Sequence, residues 1–100
     1  MSKLTLDWTS TAIADLKAIW DYIAIDNEAA ADRTIDRIQG TAETFLQFPK
    51  AGRASRVRGS REFVVPGTPY FLVYEIAGGF IQIHRVIHGA RDWPPKRRCA

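Results

Sequence analysis

A pair of glycines between two strand-like segments constrains the fold of this chain most. The segments YFLVYEI (residues 70–76) and FIQIHRVIH (residues 80–88) are rich in β-branched and aromatic residues. Gly78 and Gly79, which lie between them, supply the positive-φ positions that a tight hairpin turn needs. The sequence therefore predicts an antiparallel β-hairpin over residues 70–88.

The position of this turn also predicts the register of the hairpin, because side chains along a strand alternate between the two faces of a sheet. On the face expected to pack against helices, the predicted pairs are Ile76–Ile81, Tyr74–Ile83, Leu72–Arg85 and Tyr70–Ile87. On the opposite face, expected to be partly open, they are Val73–His84, Glu75–Gln82 and Phe71–Val86. Arg85 is out of place among apolar residues, and a β-bulge near it would turn its side chain outward.

The first half of the chain predicts a short strand followed by two helices. KLTLDW alternates apolar and polar residues, as a half-buried strand does, and Thr9, Ser10 and Thr11 are candidate N-caps of the first helix. Asn27 can cap the second helix, and Pro49 ends it. The expected apolar stripe of the first helix is Ile13, Leu16, Trp20 and Ile23. The expected stripe of the second helix is Ala31, Ile35, Ile38, Ala42, Phe45 and Leu46.

A basic loop and one more strand complete the expected order of elements. Residues 53–61, RASRVRGSR, contain four arginines and lead into the strand-like REFVVP. The predicted fold class is α+β, with a first strand, an N-terminal helical hairpin packed on an antiparallel sheet, and a three-stranded meander near the first strand. Residues 1–95 are expected to form a single domain, and residues 96–100 a flexible basic tail.

The charges are divided unequally along the chain. Residues 1–48 contain eight acidic and four basic residues, whereas residues 49–100 contain three acidic and ten basic ones. The two halves therefore carry net charges of −4 and +7, which favours an anionic partner for the second half, either nucleic acid or an acidic protein segment. The alternative is a solvated surface that happens to be basic.

Composition also sets aside several classes of protein. No apolar run approaches the roughly 18 residues that span a bilayer, and the N-terminus lacks the apolar region of a signal peptide. The single cysteine, Cys99, cannot form an internal disulfide, so a reduced cytoplasmic protein is expected. His84 and His88 would lie about 13 Å apart on a strand, too far to share one ion, and no Gly-rich phosphate loop is present; no metal or cofactor is therefore expected.

Four segments, in order, resemble the RelE/ParE superfamily of bacterial toxins. They are ADLKAIWDYIA on the first helix, FPKAGR after the second, PYFLVYEI on a strand and RVIHGARDWP at residues 85–94. The last segment is most similar to the ParE branch. The resemblance implies a β-α-α-β-β-β toxin of a type II toxin–antitoxin module, of the kind that stabilises a plasmid or chromosome. A ParD-like antitoxin would hold the toxin inactive in a hetero-oligomer.

The resemblance leaves two targets open. ParE-like toxins poison DNA gyrase, and RelE-like toxins are endoribonucleases that cut mRNA on the ribosome. A metal-independent nuclease needs an acid, a base and cations, for which the candidates here are His88, Glu62, Arg61 and Arg91, with Arg53 and Arg58 as further clamps. Trp93 occupies the place where that branch is expected to carry a titratable ring, and an indole cannot exchange protons. We therefore expect a gyrase inhibitor with no catalytic residue of its own.

The residues expected to bind the target or the antitoxin lie mainly in the basic loop and on the sheet. They are Arg53, Arg56, Arg58, Arg61, Phe71, Val73 and Arg91. We expect the antitoxin to cover part of the helical hairpin and an edge of the sheet, since a groove accepts an amphipathic helix and an edge accepts an added strand. A third alternative is a nucleic-acid-binding module that places the arginines of residues 53–61 on phosphates. No membrane partner is expected.

Overall fold

Residues 4–90, the part of the chain that the computed structural model describes, form two helices and five strands. In chain order they are β1 (Thr5–Trp8), α1 (Ser10–Ala24), α2 (Glu28–Thr44), β2 (Arg53–Ala54), β3 (Arg61–Val64), β4 (Tyr70–Ala77) and β5 (Phe80–His88). The α+β class and the expected order are confirmed. The basic loop contributes one unexpected element, the two-residue strand β2. Within residues 4–90, neither helix is long and apolar enough to cross a membrane.

The strands form one sheet in the order β1-β5-β4-β3-β2. β2, β3, β4 and β5 pair antiparallel, whereas β1 pairs parallel with β5. The expected antiparallel meander of β3, β4 and β5 is confirmed, and the parallel pairing of β1, whose direction the sequence left open, makes the sheet mixed. A parallel pair needs a long connection between its strands, and here the helical hairpin supplies part of it by carrying the chain from β1 at one edge to β2 at the other.

The β4–β5 hairpin confirms the predicted turn. Gly78 and Gly79 have φ angles of 57° and 83°, and the pairs nearest the turn are the predicted ones, Ile76–Ile81, Glu75–Gln82 and Tyr74–Ile83. The expected bulge is present as well, because Val73, the residue next to Tyr74, pairs with Arg85 and leaves His84 as the extra residue. Beyond the bulge the predicted pairs were wrong. The observed ones are Leu72–Val86, Phe71–Ile87 and Tyr70–His88.

The bulge places Arg85 where the sequence did not predict it. Instead of turning outward into solvent, its side chain is 26 % exposed, and its Nε donates to Asp15 Oδ2 on α1 over 2.8 Å. Asp15 Oδ2 also accepts the backbone N–H of Val86 over 2.9 Å. One carboxylate thus joins α1 to the part of β5 that extends beyond β1.

The helices pack on one face of the sheet, and the core lies between the two layers. Ala31, Ile38, Ala42 and Phe45 of the expected α2 stripe are buried. On α1, however, the buried residues are Ala12 and Ile19, with Leu16 and Ile23 beside them, and Ile13 is 55 % exposed. The buried face of α1 is therefore rotated by part of a turn from the expected one, which was wrong to this extent. The rotation directs Asp15 towards β5.

Of the three candidate N-caps of α1, Thr9 is the cap, and the predicted cap of α2, Asn27, is confirmed. Thr9 Oγ1 accepts the N–H of Ala12 over 3.0 Å, and Asn27 Oδ1 accepts the N–H of Ala30 over 3.0 Å. The hydroxyl of Thr9 also donates to the carbonyl of His84 at the bulge. α2 ends at Thr44, with Phe45 as its C-cap, which is several residues before Pro49.

Candidate functional site

The basic segment forms a hairpin with internal hydrogen bonds. β2 pairs with β3 through Arg53–Glu62 and Ala54–Arg61. Between them, Ser55 N–H donates to Ser60 O over 2.9 Å, and Ser60 Oγ donates to Val57 O over 2.7 Å. The hairpin holds Arg56 and Arg58, both exposed, at its end.

Tyr74 connects this hairpin to the core. Its hydroxyl donates to Pro49 O and accepts the N–H of Gly52, both over 2.8 Å. Its ring, fully buried, stacks on Phe45 with centroids 4.0 Å apart. A Cβ on Gly52 would lie 2.8 Å from that hydroxyl oxygen, so the close approach requires glycine here. Burial raises the pKa of Tyr74, while the Gly52 N–H and the Arg61 charge oppose the rise.

Arg61 supports the same turn. It pairs with Tyr74 across β3 and β4, and its guanidinium donates to Gly52 O over 2.7 Å. Tyr74 and Arg61 thus bind the backbone N–H and the carbonyl of Gly52, respectively. Sequence reasoning missed Tyr74, although a tyrosine in the apolar row of β4 signals a buried ring whose hydroxyl needs a partner.

A cleft of about 500 Å³, the Arg53 cleft, brings several of the expected site residues together. It is lined by Ala51, Arg53, Arg56, Glu62, Phe63, Val64, Phe71 and Gly89. Leu72 and Tyr74 belong to the core under the helices, so Phe71 and Val73, which alternate with them, face the other way. Glu62 and Val64 pair with those two residues. The cleft therefore lies on the sheet face away from the helices.

Glu62 is the ionisable group that lies deepest in the Arg53 cleft. It is 8 % exposed, and its carboxylate accepts Ser55 Oγ over 2.7 Å and Arg53 Nη2 over 3.4 Å. The Arg53 side chain is 81 % exposed. The cleft therefore combines an exposed guanidinium with a buried carboxylate and apolar walls.

Three of the expected binding residues within residues 4–90, Arg58, Arg61 and Val73, do not line the Arg53 cleft. Val73 is only 1 % exposed, so the expectation that it offers surface to a partner does not fit its burial. Arg58 lies at the end of the hairpin outside the cleft lining. Arg91, like Trp93 and the 96–100 tail, lies outside the described residues.

His88 lies on the opposite side of the sheet from Glu62. It pairs with the core residue Tyr70, and the two rings meet edge to face with centroids 5.3 Å apart. It lines a second cleft, of about 560 Å³, together with Asp15, Tyr22 and Tyr70 among others. Its Nδ1 accepts the Ala90 N–H over 3.0 Å. The structure therefore does not bring together the acid–base pair of the nuclease alternative, His88 and Glu62.

A third depression, the hairpin groove, follows the outer surface of the helical hairpin. Its volume is about 400 Å³, and its lining residues are Ile13, Leu16, Lys17, Trp20, Asp21, Ile35 and Gln39. Trp20 Nε1 donates to Asp32 Oδ1 over 2.8 Å, which joins the two helices beside the groove. Ile13, which the sequence assigned to the core, is thus exposed in this groove, whereas Leu16 and Ile35 line it and also pack against the core.

The comparisons with known proteins agree with this architecture. The family model described as "ParE toxin of type II toxin-antitoxin system, parDE" matches residues 6–93. Toxin RelE2 of Caulobacter vibrioides is 38 % identical over 84 residues, which cover 84 % of this chain and 93 % of the relative.

Two solved structures have the same fold. The chromosomal ParDE system from P. aeruginosa aligns with a TM-score of 0.80 and 30 % identity, covering 86 % of this chain and 96 % of that one. The RelBE2 toxin–antitoxin complex from Mycobacterium tuberculosis aligns with a TM-score of 0.65 and 24 % identity, covering 86 % and 98 %. The fold is thus that of the RelE/ParE superfamily. The chain belongs to the ParE toxin family of type II toxin–antitoxin systems.

Proposed function

We propose that this toxin inhibits bacterial growth by poisoning DNA gyrase and that a cognate ParD-like antitoxin neutralises it. The observation that carries the proposal is the match to the ParE family model across residues 6–93. Gyrase poisoning is the activity that resemblance to the ParE branch implies, and it places the protein in the cytoplasm with its target. In this role the toxin acts by binding and needs no catalytic residue of its own.

An mRNA endonuclease is the second candidate, and one observation favours it. The relative that is 38 % identical carries the name toxin RelE2. Against it stands the position of the candidate acid–base pair, because Glu62 lines the Arg53 cleft and His88 lines the cleft on the helical side. Proton transfer requires both groups within hydrogen-bond reach of one substrate, so gyrase is the better-supported target.

Two surfaces fit the proposed antitoxin. The hairpin groove presents exposed apolar side chains, Ile13 among them, and such a groove suits the apolar face of an amphipathic helix. The Arg53 cleft, next to the edge strand β2, suits an acidic segment. The structural neighbours are toxin–antitoxin systems, which supports a hetero-oligomer of the same kind for this chain.

A gyrase cleavage assay tests the proposal. Purified toxin is incubated with gyrase, supercoiled plasmid and ATP, the complexes are trapped with detergent, and linear DNA is scored. A parallel reaction contains ribosome-bound mRNA in place of plasmid, and control reactions omit gyrase. We expect linear DNA that rises with toxin dose and requires gyrase, together with intact mRNA.

Two other outcomes would contradict the proposal. Intact plasmid with cut mRNA would assign the chain to the nuclease branch, and replacing His88 and Arg91 would then abolish cutting while the chain stays folded. Binding to DNA or RNA with steep salt dependence, and without cleavage of either, would instead indicate the nucleic-acid-binding module.

A further inference from the structure

The Arg53 cleft contains a carboxylate, that of Glu62, to which gyrase poisoning assigns no role. Glu62 is 8 % exposed, a degree of burial that is costly for a charged group unless hydrogen bonds or cations compensate. One short hydrogen bond from Ser55 Oγ and one long contact from Arg53 Nη2 supply that compensation. The long contact, 3.4 Å, leaves the guanidinium weakly engaged.

Arg53 has donors to spare for a second carboxylate. A guanidinium has five N–H donors in a planar fork that matches a carboxylate, and the contact with Glu62 Oε1 involves Nη2. The side chain is 81 % exposed, so the other donors are accessible from the cleft. An anion that arrives there competes with Glu62 for the same guanidinium.

The walls of the cleft favour a peptide over a nucleic acid. Ala51, Phe63, Val64 and Phe71 form an apolar part of the lining, and Val64 is 63 % exposed. An extended peptide can place an acidic side chain at Arg53 and an apolar one on this surface. A nucleic-acid strand presents closely spaced phosphates, to which the apolar part of the lining offers no positive charge.

We propose that the Arg53 cleft binds an acidic segment of a protein partner, with Arg53 pairing to a partner carboxylate and Val64 and Phe71 contacting an adjacent apolar side chain. Glu62 is the internal competitor for Arg53 and admits only ligands that offer an apolar contact as well as a charge. The inference rests on the proposed function in one respect, the assignment of this surface to a protein partner. In this arrangement Glu62 is a residue that sets specificity.

Peptide binding to the full-length toxin tests this inference. The probe is a fluorescein-labelled peptide, blocked at both ends, in which Glu alternates with Leu. The comparison probes are the same peptide with Gln for Glu and a labelled RNA oligonucleotide of equal length. Fluorescence anisotropy should show at least about tenfold tighter binding of the Glu peptide than of the Gln peptide, since hydrogen bonds between charged groups are the strong ones.

Variants at Arg53 and Glu62 test whether Glu62 competes with the peptide for Arg53 or whether the peptide is attracted by positive charge alone. Arg53→Gln should remove the preference for Glu over Gln, and Glu62→Gln, which keeps an acceptor for Ser55, should tighten binding of the Glu peptide about three- to tenfold. In the Arg53→Gln background the effect of Glu62→Gln should fall below about twofold. Arg33→Gln, which removes an exposed positive charge from α2, is the matched control and should change nothing.

Several results would overturn the inference. They are equal binding of the Glu and Gln peptides, tighter binding of the RNA, and a Glu62→Gln variant that binds the Glu peptide no better than wild type. Circular dichroism checks that each variant is folded. If Glu62→Gln unfolds, the inference is judged from Arg53→Gln alone. That variant should fold, because the Arg53 side chain is exposed. The assay contains no gyrase or ribosome, so its failure and the failure of gyrase poisoning are distinguishable.

Discussion

At the scale of single residues, the hydroxyl of Tyr74 holds the turn that precedes the Arg53 cleft. Its hydroxyl satisfies a carbonyl and an N–H of the turn at residues 49–52, just before β2 begins. Without these bonds, the buried N–H of Gly52 and the partly buried carbonyl of Pro49 would lose their hydrogen-bond partner. The position of Arg53, the first residue of β2, therefore depends on a side chain in the core.

We expect Tyr74→Phe to lower the free energy of unfolding by about 1–3 kcal/mol, because unsatisfied buried polar groups cost roughly that much. Urea denaturation followed by circular dichroism measures the change. Tyr22→Phe, at a side chain that is 75 % exposed, should stay within about 0.5 kcal/mol of wild type. A Tyr74→Phe variant as stable as wild type would show that the two hydrogen bonds contribute nothing net.

Because Tyr74 and Tyr70 are buried, we expect the protein to lose stability at alkaline pH. Burial raises the pKa of Tyr74, and burial, with Tyr22 nearby, raises the pKa of Tyr70. The unfolded chain loses these protons near pH 10, whereas the folded protein retains them. Stability is therefore complete below about pH 10 and is lost as the pH rises through the raised pKa values.

Unfolding free energies measured from pH 8 to pH 11 test this sign. They should fall more steeply for wild type than for Tyr74→Phe, which lacks the buried hydroxyl. Equal slopes for wild type and Tyr74→Phe would contradict the raised pKa.

At the scale of elements, Asp15 decides how α1 lies on the sheet. Its carboxylate accepts hydrogen bonds from the side chain of Arg85, at Nε and Nη2, and from the backbone N–H of Val86. The residues are 70 positions or more apart along the chain. The contact therefore fixes the rotation of α1 and exposes Ile13 in the hairpin groove.

We expect Asp15→Ala to lower the free energy of unfolding by about 2–3 kcal/mol, because it removes the carboxylate that accepts hydrogen bonds from the partly buried Arg85 side chain and from the Val86 N–H. Chemical denaturation measures the loss. Asp21→Ala breaks a pair with Lys17 in which both side chains are more than half exposed, and it should cost less than about 1 kcal/mol. In the Arg85→Ala background the cost of Asp15→Ala should shrink, and full additivity would show that the two residues do not interact.

At the scale of the whole molecule, the two halves of the chain carry opposite net charge. The acidic half forms β1 and the helical hairpin, and the basic half forms β2 to β5 with the Arg53 cleft. An acidic partner is therefore attracted to the sheet side before contact, which speeds association more than it strengthens the complex.

Stopped-flow association with the cognate antitoxin should reveal this steering. We expect the association rate to fall at least about tenfold between roughly 0.05 M and 0.5 M NaCl, because salt screens exposed charges. Arg58→Gln, at the end of the β2–β3 hairpin, should slow association at low salt and leave it unchanged at high salt. A rate that does not vary with salt would exclude charge steering as the origin of fast binding.

The sequence by itself determined the local structure. Alternation predicted β1, the caps at Thr9 and Asn27 were correctly placed, and Gly78-Gly79 set the hairpin turn and the first pairs beyond it. These features depend on residues close together in the chain, whose backbone preferences and hydrogen bonds form within a turn or two.

The tertiary structure alone decided the rest. The exact bulge at His84, the parallel pairing of β1 with β5 and the rotation of α1 all depend on contacts between distant residues, such as that of Asp15 with Arg85. The candidate site was likewise only partly predictable. The sequence indicated its arginines, but only the fold placed Glu62 beside Arg53 and His88 on the other side of the sheet. Periodicity specifies which side chains share a face, whereas the partner across a layer is specified only when the layers pack.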